Sequence, residues 1–306
     1  MPRWLLQTLF VVAPLAVAFA LLPNVFPNQL MLFNFVIFLT LAQGVNVLYG
    51  FTGYLPFGYV GFFGAGAYGF SLAVMHLASP AGIALICAGV AALLLGVLLI
   101  PLLRLSGAYF SIASLAASLA VLHFVANPSL EPITKGPYGV ALRGVFDPKL
   151  AYASAVGIMT ATMLVVVWLR NSQFGLSLQA LREDAVSASM AGIDVVRART
   201  IAWMICALIA GLAGGVYAWY VSVFYPETVF GAEFSIFAIV FALFGGVSTL
   251  IGPILGVLIL YGMYNLIGVS TPQYFQLIYG ILIMLVVLFL PTGLMSFFTR
   301  RRAHGV

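Results

Sequence analysis

Apolar runs of roughly twenty residues recur along the whole chain, each apolar on all sides and separated by short polar or Gly/Pro-rich stretches. A helix needs about twenty such residues to cross about 30 Å of hydrocarbon. Ten segments qualify: roughly 4–22, 30–49, 58–77, 82–103, 108–126, 151–169, 200–223, 232–247, 253–269 and 274–290. Near 50–58 and 245–253 the boundaries are rich in Gly and Pro, which predicts broken or re-entrant helix. A β-barrel is disfavoured, because its strands alternate over about ten residues. The pattern therefore predicts an all-α integral membrane protein, one polytopic domain over residues 1–306.

One long polar interruption stands out, from Arg170 to Arg199. It holds Arg170, Arg182, Glu183, Asp184, Asp194, Arg197 and Arg199, seven of the nineteen formal charges. Its own periodicity is helical: Leu178, Leu181, Ala185, Ala188 and Gly192 fall on one face, and Glu183, Ser187 and Met190 on the other. This predicts an amphipathic helix at the membrane surface, small on one face and acidic at its middle, suited to docking onto a partner.

Composition supports this reading. The chain is 64% hydrophobic and 6% charged, against about 25% charged residues in soluble domains. The opening apolar segment has the basic start of a signal peptide but no small-residue cleavage site followed by a polar region, so a first transmembrane helix is expected. Cys87 and Cys206 both lie in apolar runs, where they read as small hydrophobes rather than as a disulfide or metal pair. With ten spans and a cytoplasmic N-terminus, Arg3, Arg104, Arg170, Arg182, Arg197, Arg199, Arg300, Arg301 and Arg302 lie inside, and Lys135, Arg143 and Lys149 outside. That bias predicts an N-in, C-in protein. The net charge of +5 then reflects topology, and nucleic-acid binding is not indicated.

The longest external connection, 127–150, is rich in Pro and Gly, which excludes a continuous helix. Thr134 to Gly139 has the composition of a tight turn. Two Gly/Pro segments share a theme. Gly50 to Gly58, which includes Gly53, Tyr54 and Pro56, opens into a run with Gly61, Gly64 and Gly66. Phe244 to Pro253, which includes Gly245, Gly246 and Gly252, opens into a run with Gly256. Interrupted segments at corresponding places in two halves point to a translocation site. The alternative is close packing, open equally to Gly211, Gly214 and Gly215.

No span carries an Asp, Glu, Lys or Arg near its centre, which disfavours ion coupling. His76 and His123, near outer span ends, are expected as interfacial hydrogen-bonding residues rather than proton relays. The chain has no P-loop, and its only lysines are Lys135 and Lys149. Nor does it contain a zinc-protease or serine-nucleophile motif. No catalytic, cofactor or metal site is expected, and nucleotide hydrolysis must come from elsewhere.

Taken together, five segments resemble the branched-chain amino-acid ABC-transporter permeases of the LivM type, over about Leu41 to Phe297. GFTGYLPFGYVGFFGAGAY matches the family's pattern at Gly53, Leu55, Gly58, Phe62 and Gly66-Ala67-Tyr68. RLSGAYFSIASLA is similar to a second segment, with Ser114 where Thr is usual. FGLSLQALREDAVSASMAGIDVVRART is similar to the family's cytoplasmic loop, and FGGVSTLIGPILGV and LPTGL complete the set. The resemblance implies an importer half in a bacterial inner membrane. It implies pairing with a homologous second permease, two ATP-binding subunits beneath, and an extracytoplasmic substrate-binding protein. Cargo would be branched-chain or related amino acids; urea or short amides, sugars and nucleosides are alternatives, and an ion-coupled secondary carrier is the rival of a different class.

By the same resemblance, Leu181, Arg182, Glu183, Asp184, Ala185, Ala188 and Gly192 would form the coupling contact with the ATPase. Small Ala185, Ala188 and Gly192 would permit close approach, and Glu183 would pair with a basic residue. Ala185-Val186 stands where the family often has a further acidic residue, which weakens the expected ionic contact. Gly53, Tyr54, Pro56, Gly58, Gly61, Gly64, Gly245, Gly246, Gly252 and Pro253 are the pathway candidates. Lys135, Arg143, Lys149, Glu227 and Glu233 are the charges available for docking a binding protein.

Overall fold

A computed structural model describes residues 8–142 and 147–270, with single positions at Leu277, Gly280, Ile281, Met284, Leu294 and Met295. Apart from those single positions, the expected span at 274–290 lies outside the described residues, as does Arg143. The helices are α1 (Thr8–Asn24), α2 (Gln29–Val45, continuing through a wide π-type turn at Asn46–Gly50), α3 (Tyr59–Leu77), α4 (Ala81–Leu98) and α5 (Gly107–Val125). They continue with α6 (Pro148–Asn171), α7 (Gln173–Glu183), α8 (Ala185–Met190), α9 (Val195–Val221), α10 (Ala232–Gly245) and α11 (Ile251–Ser270). Seven are long and apolar enough to cross a membrane: α2, α3, α4, α5, α6, α9, and α10 with the turn before it. The remaining apolar helices, α1 and α11, are shorter by that measure.

Polar residues at the ends set where these helices begin. Asn28 accepts the Met31 amide at 3.0 Å to start α2, and Asp147 accepts the Lys149 and Leu150 amides, both at 3.1 Å, beside Pro148 in the first turn of α6. Asp194 does the same for α9 through Arg197 N–H at 3.0 Å.

The centre of the bundle is α9, packed against α2, α3, α4 and α6. Its contact with α3 is backbone to backbone: a Cβ on Gly214 would run into the Phe63 carbonyl, and one on Gly66 into the Gly211 carbonyl. Small residues let the two helices approach this closely, as membrane helices require when dispersion and not water drives association. Trp203 donates its indole N–H to the Gly96 carbonyl at 3.0 Å and ties α9 to α4.

A second unit, the hairpin α10–α11, packs on α2. Gly245 abuts the Gly252 carbonyl and Gly256 the Phe241 carbonyl, the crossed spacing of antiparallel neighbours. By contrast, α4 and α5 are peripheral, with Ile86, Leu94 and Leu98 exposed on α4. The connection after α5 forms a short turn at Glu131–Thr134 and then a two-residue strand β1 (Val140–Ala141), antiparallel to β2 (Val223–Phe224). That pairing is an addition to the all-helical expectation, and it joins the two connections at this end of the bundle. His76 shares a hydrogen bond with the Ile133 carbonyl at 3.0 Å. Both cysteines are free.

Candidate transmission site at the loop end of the bundle

The polar interruption folds into two helices rather than one. Ser172 ends α6 and caps α7 by accepting the Gly175 amide at 3.1 Å. Gly175 lies so close to the Leu169 carbonyl that any side chain would collide, so α7 turns sharply back along the end of α6. Asp184 then breaks the expected continuous helix. Its backbone is extended, and its carboxylate accepts Val186 N–H at 2.9 Å, Ser187 N–H at 3.3 Å and the Ser187 hydroxyl at 2.5 Å. A carboxylate that can bond the following amides competes with helix continuation. The Ser187 hydroxyl first, then the Val186 amide, hold the Asp184 carboxyl below its usual range. At the far end Gly192 takes φ +87°, and Ile193 N–H reaches the Ala188 carbonyl at 3.1 Å to close α8.

This break changes which face is outward. Leu178, Leu181 and Ala188 are buried against the bundle, Ala185 is half-buried, and Gly192 is exposed at the closing turn. The close approach permitted by Ala188 is therefore made to the protein itself. Glu183, Val186, Ser187 and Met190 are exposed, with Met190 86% accessible.

Arg182 turns inward at its tip. Its Nη1 donates to the Gly50 carbonyl at 2.7 Å and to the Ser248 hydroxyl at 2.6 Å. Ser248 also donates to the Gly50 carbonyl. One guanidinium on α7 thus grips both Gly/Pro segments at once. Beneath it, buried Asn46 accepts Ser248 N–H at 2.7 Å and donates to the Thr249 carbonyl at 2.8 Å and to Gln43 at 3.2 Å. Gln43 donates to the Leu250 carbonyl at 2.7 Å. Thr249 finishes the turn by accepting Gly252 N–H at 3.0 Å, which starts α11. Sequence reasoning missed Gln43, Asn46 and Ser248. The available signal was two amides inside an otherwise apolar span, since a buried amide in hydrocarbon must find partners.

A second link runs from α9. Arg199 lies over the Tyr54 ring, 4.7 Å from its centroid, and Tyr54 packs edge-on to Phe110 at 4.9 Å. The rest of the first Gly/Pro segment is bonded to α5. Ser111 donates to the Leu55 carbonyl at 2.8 Å, and the Gly58 amide donates to the Ser114 hydroxyl at 3.1 Å. The variant position Ser114 therefore retains the hydroxyl that holds this segment.

Among the pathway candidates Gly53 is exposed, while Tyr54, Pro56, Gly58, Gly61, Gly64, Gly245, Gly246, Gly252 and Pro253 are buried. Side chains on Gly58, Gly64 and Gly245 would collide with Ser114, Phe230 and Gly252, and one on Gly61 would press on Ser118. Close packing is what these glycines do within this chain. Lys135, Lys149, Glu227 and Glu233 are exposed at the opposite end. Lys149 borders a cleft of about 370 Å³ with Asn24, Gln29 and Tyr152.

A polytopic helical bundle whose two Gly/Pro turns are fastened to a surface helix pair has the build of a transporter's membrane subunit. Comparison with known proteins gives the family. Residues 29–287 match the family described as branched-chain amino acid transport system / permease component, and the chain belongs to that family. It is 29% identical over 292 residues to LivM, the permease protein of a high-affinity branched-chain amino acid transport system in Escherichia coli, covering 85% of this chain and 68% of that protein. It is 27% identical over 181 residues to LivH of Salmonella typhimurium, covering 54% of this chain and 58% of that protein. An L-arabinose ABC transporter permease protein, AraH of Azospirillum brasilense, is 31% identical over 127 residues, covering 40% of this chain and 38% of that protein. No solved structure matches. The chain is an ABC-transporter permease of LivM type and a multi-pass inner-membrane protein.

Proposed function

We propose that this permease forms half of an ATP-driven importer for branched-chain or related amino acids, paired with a homologous second permease. In this reading the chain makes ten passes, N-in and C-in. Two separate ATP-binding subunits seat on the exposed face of α7 and α8, and a substrate-binding protein docks at the other end, where Lys135, Lys149 and Glu227 are exposed. The observation that carries the reading is the double hydrogen bond of Arg182. A push on α7 is delivered to Gly50 and Ser248 together, and so to the ends of α2, α10 and α11 in one step. Cargo passes along the interface between the two permeases, because the glycines inside this chain are taken up by packing.

Reconstituted vesicles test this directly. Uptake of leucine should require ATP and the binding protein and should survive an ionophore; uptake driven by an ion gradient alone overturns the reading. Glu183→Lys, on the exposed face, should release the ATP-binding subunits while the permease stays in the membrane. Normal co-purification of those subunits with that variant removes α7 from the contact. The short match to the arabinose permease keeps a sugar as the second reading, checked by arabinose uptake in the same vesicles.

A further inference from the structure

Near the end opposite Arg182, the chain leaves a cleft of about 170 Å³ lined by residues of α2, α9, α10 and α11. Asn34 reaches it from the second turn of α2, Glu233 from the first turn of α10, and Tyr217 from the closing turns of α9. Tyr261 and Tyr264 come from the middle of α11. At 1.5 Å per residue, Tyr261 stands about 15 Å along that helix.

The walls are aromatic and held by one another. Tyr261 is buried and stacks on Tyr264 with centroids 5.7 Å apart. Phe234 meets Tyr217 edge-on at 5.4 Å. Among the described residues Glu233 is the cleft's one carboxylate. Among the described residues the single ion pair is Arg197 with Asp194, so no described Lys or Arg pairs with Glu233. An exposed carboxylate with open space and ring faces next to it is arranged for a cation that arrives from outside the chain. The cleft is smaller than the roughly 300–1,000 Å³ of sites for drug-sized ligands, which limits the occupant to a few heavy atoms.

We propose that this cleft receives the ammonium group of the amino acid as it passes, an assignment that rests on the importer reading above. Glu233 pairs with the ammonium, the Tyr217 and Tyr264 ring faces attract it, and the Asn34 side-chain oxygen accepts one of its N–H groups. Because Glu233 is exposed, water screens the pair, and the cargo is held only in passing. The aliphatic side chain rests on Phe234.

The test is ATP-dependent uptake of radiolabelled leucine by the assembled complex in vesicles, over a range of binding-protein concentrations. Glu233→Gln should lower uptake about fivefold, the upper end for a water-screened ion pair, and saturating binding protein should not restore it. Tyr264→Leu should lower uptake, whereas Tyr264→Phe, which keeps the ring face, should retain it; this pair decides if Glu233→Gln fails to assemble. Wild-type uptake by Glu233→Gln, or equal uptake by the two Tyr264 variants, overturns the cleft assignment and leaves the importer reading standing. A defect that excess binding protein removes overturns it in favour of docking. No uptake by the wild-type complex overturns the importer reading, and the cleft assignment with it.

Discussion

Asn46 uses both ends of its amide on the turn between α10 and α11, and it does so where water cannot replace either bond. Asn46→Ala leaves the Ser248 amide and the Thr249 carbonyl without that partner, at about 1–3 kcal/mol for each group left unsatisfied. Thermal unfolding in detergent should show the loss, while Asn28→Ala, at an exposed cap, should cost about 1 kcal/mol. Arg182 is different in kind, because its contacts are exposed on one side and join elements far apart in sequence. Arg182→Gln should reduce ATP-dependent uptake about tenfold, the low end for hydrogen bonds to a charged donor. Ser248→Ala keeps the Gly50 contact and should do less. Combining the two should give less than the sum, since both act on one network; strict additivity would argue against a shared clamp.

Elements respond to what caps and separates them. The folded Asp184 carboxyl titrates below its unfolded value, so its contribution to α8 is present above the ordinary carboxylate range and lost as pH falls through the depressed value. Acidification through that window should speed amide exchange at Val186 and Ser187 beyond the intrinsic rate. Asp184→Asn, which still caps but does not titrate there, should abolish the effect. Between α3 and α9 the limit is volume. Gly66→Leu should prevent the close approach and reduce folded protein recovered from membranes, whereas Gly157→Ala, where a Cβ meets nothing, should be tolerated and gain about 0.5–1 kcal/mol.

The same elements show what the sequence could tell. Apolar segments were legible because twenty apolar residues have few other uses, and eight of those expected, from 30–49 to 253–269, end within about five residues of a helix, though only seven of these helices are long and apolar enough to span. The split at Asp184 was not legible, since an acidic residue in a charged stretch reads equally as a helix surface or a cap. Gln43 and Asn46 vanished into the average of an apolar run. Their partners lie some two hundred residues away, a pairing that no local pattern encodes.

At the scale of the whole molecule, the two ends of the described bundle carry different contacts. Gly50, Arg182 and Ser248 meet at one end, and Val140 pairs with Phe224 at the other. Which end faces the cytoplasm is a question of charge. The proposed orientation puts Arg104, Arg170, Arg182, Arg197 and Arg199 with the α7–α8 end and Lys135 and Lys149 with the strand end, the distribution that insertion favours. Cysteine accessibility decides it. With half-buried Cys87 and buried Cys206 first replaced by Ala, Met190→Cys marks one end and Tyr138→Cys the other, both on exposed side chains. A membrane-impermeant thiol reagent should label Tyr138→Cys in spheroplasts and Met190→Cys only in inverted vesicles. The reverse result would place α7 and α8 outside, away from any ATP, and would remove the mechanical role assigned to Arg182 whatever its hydrogen bonds.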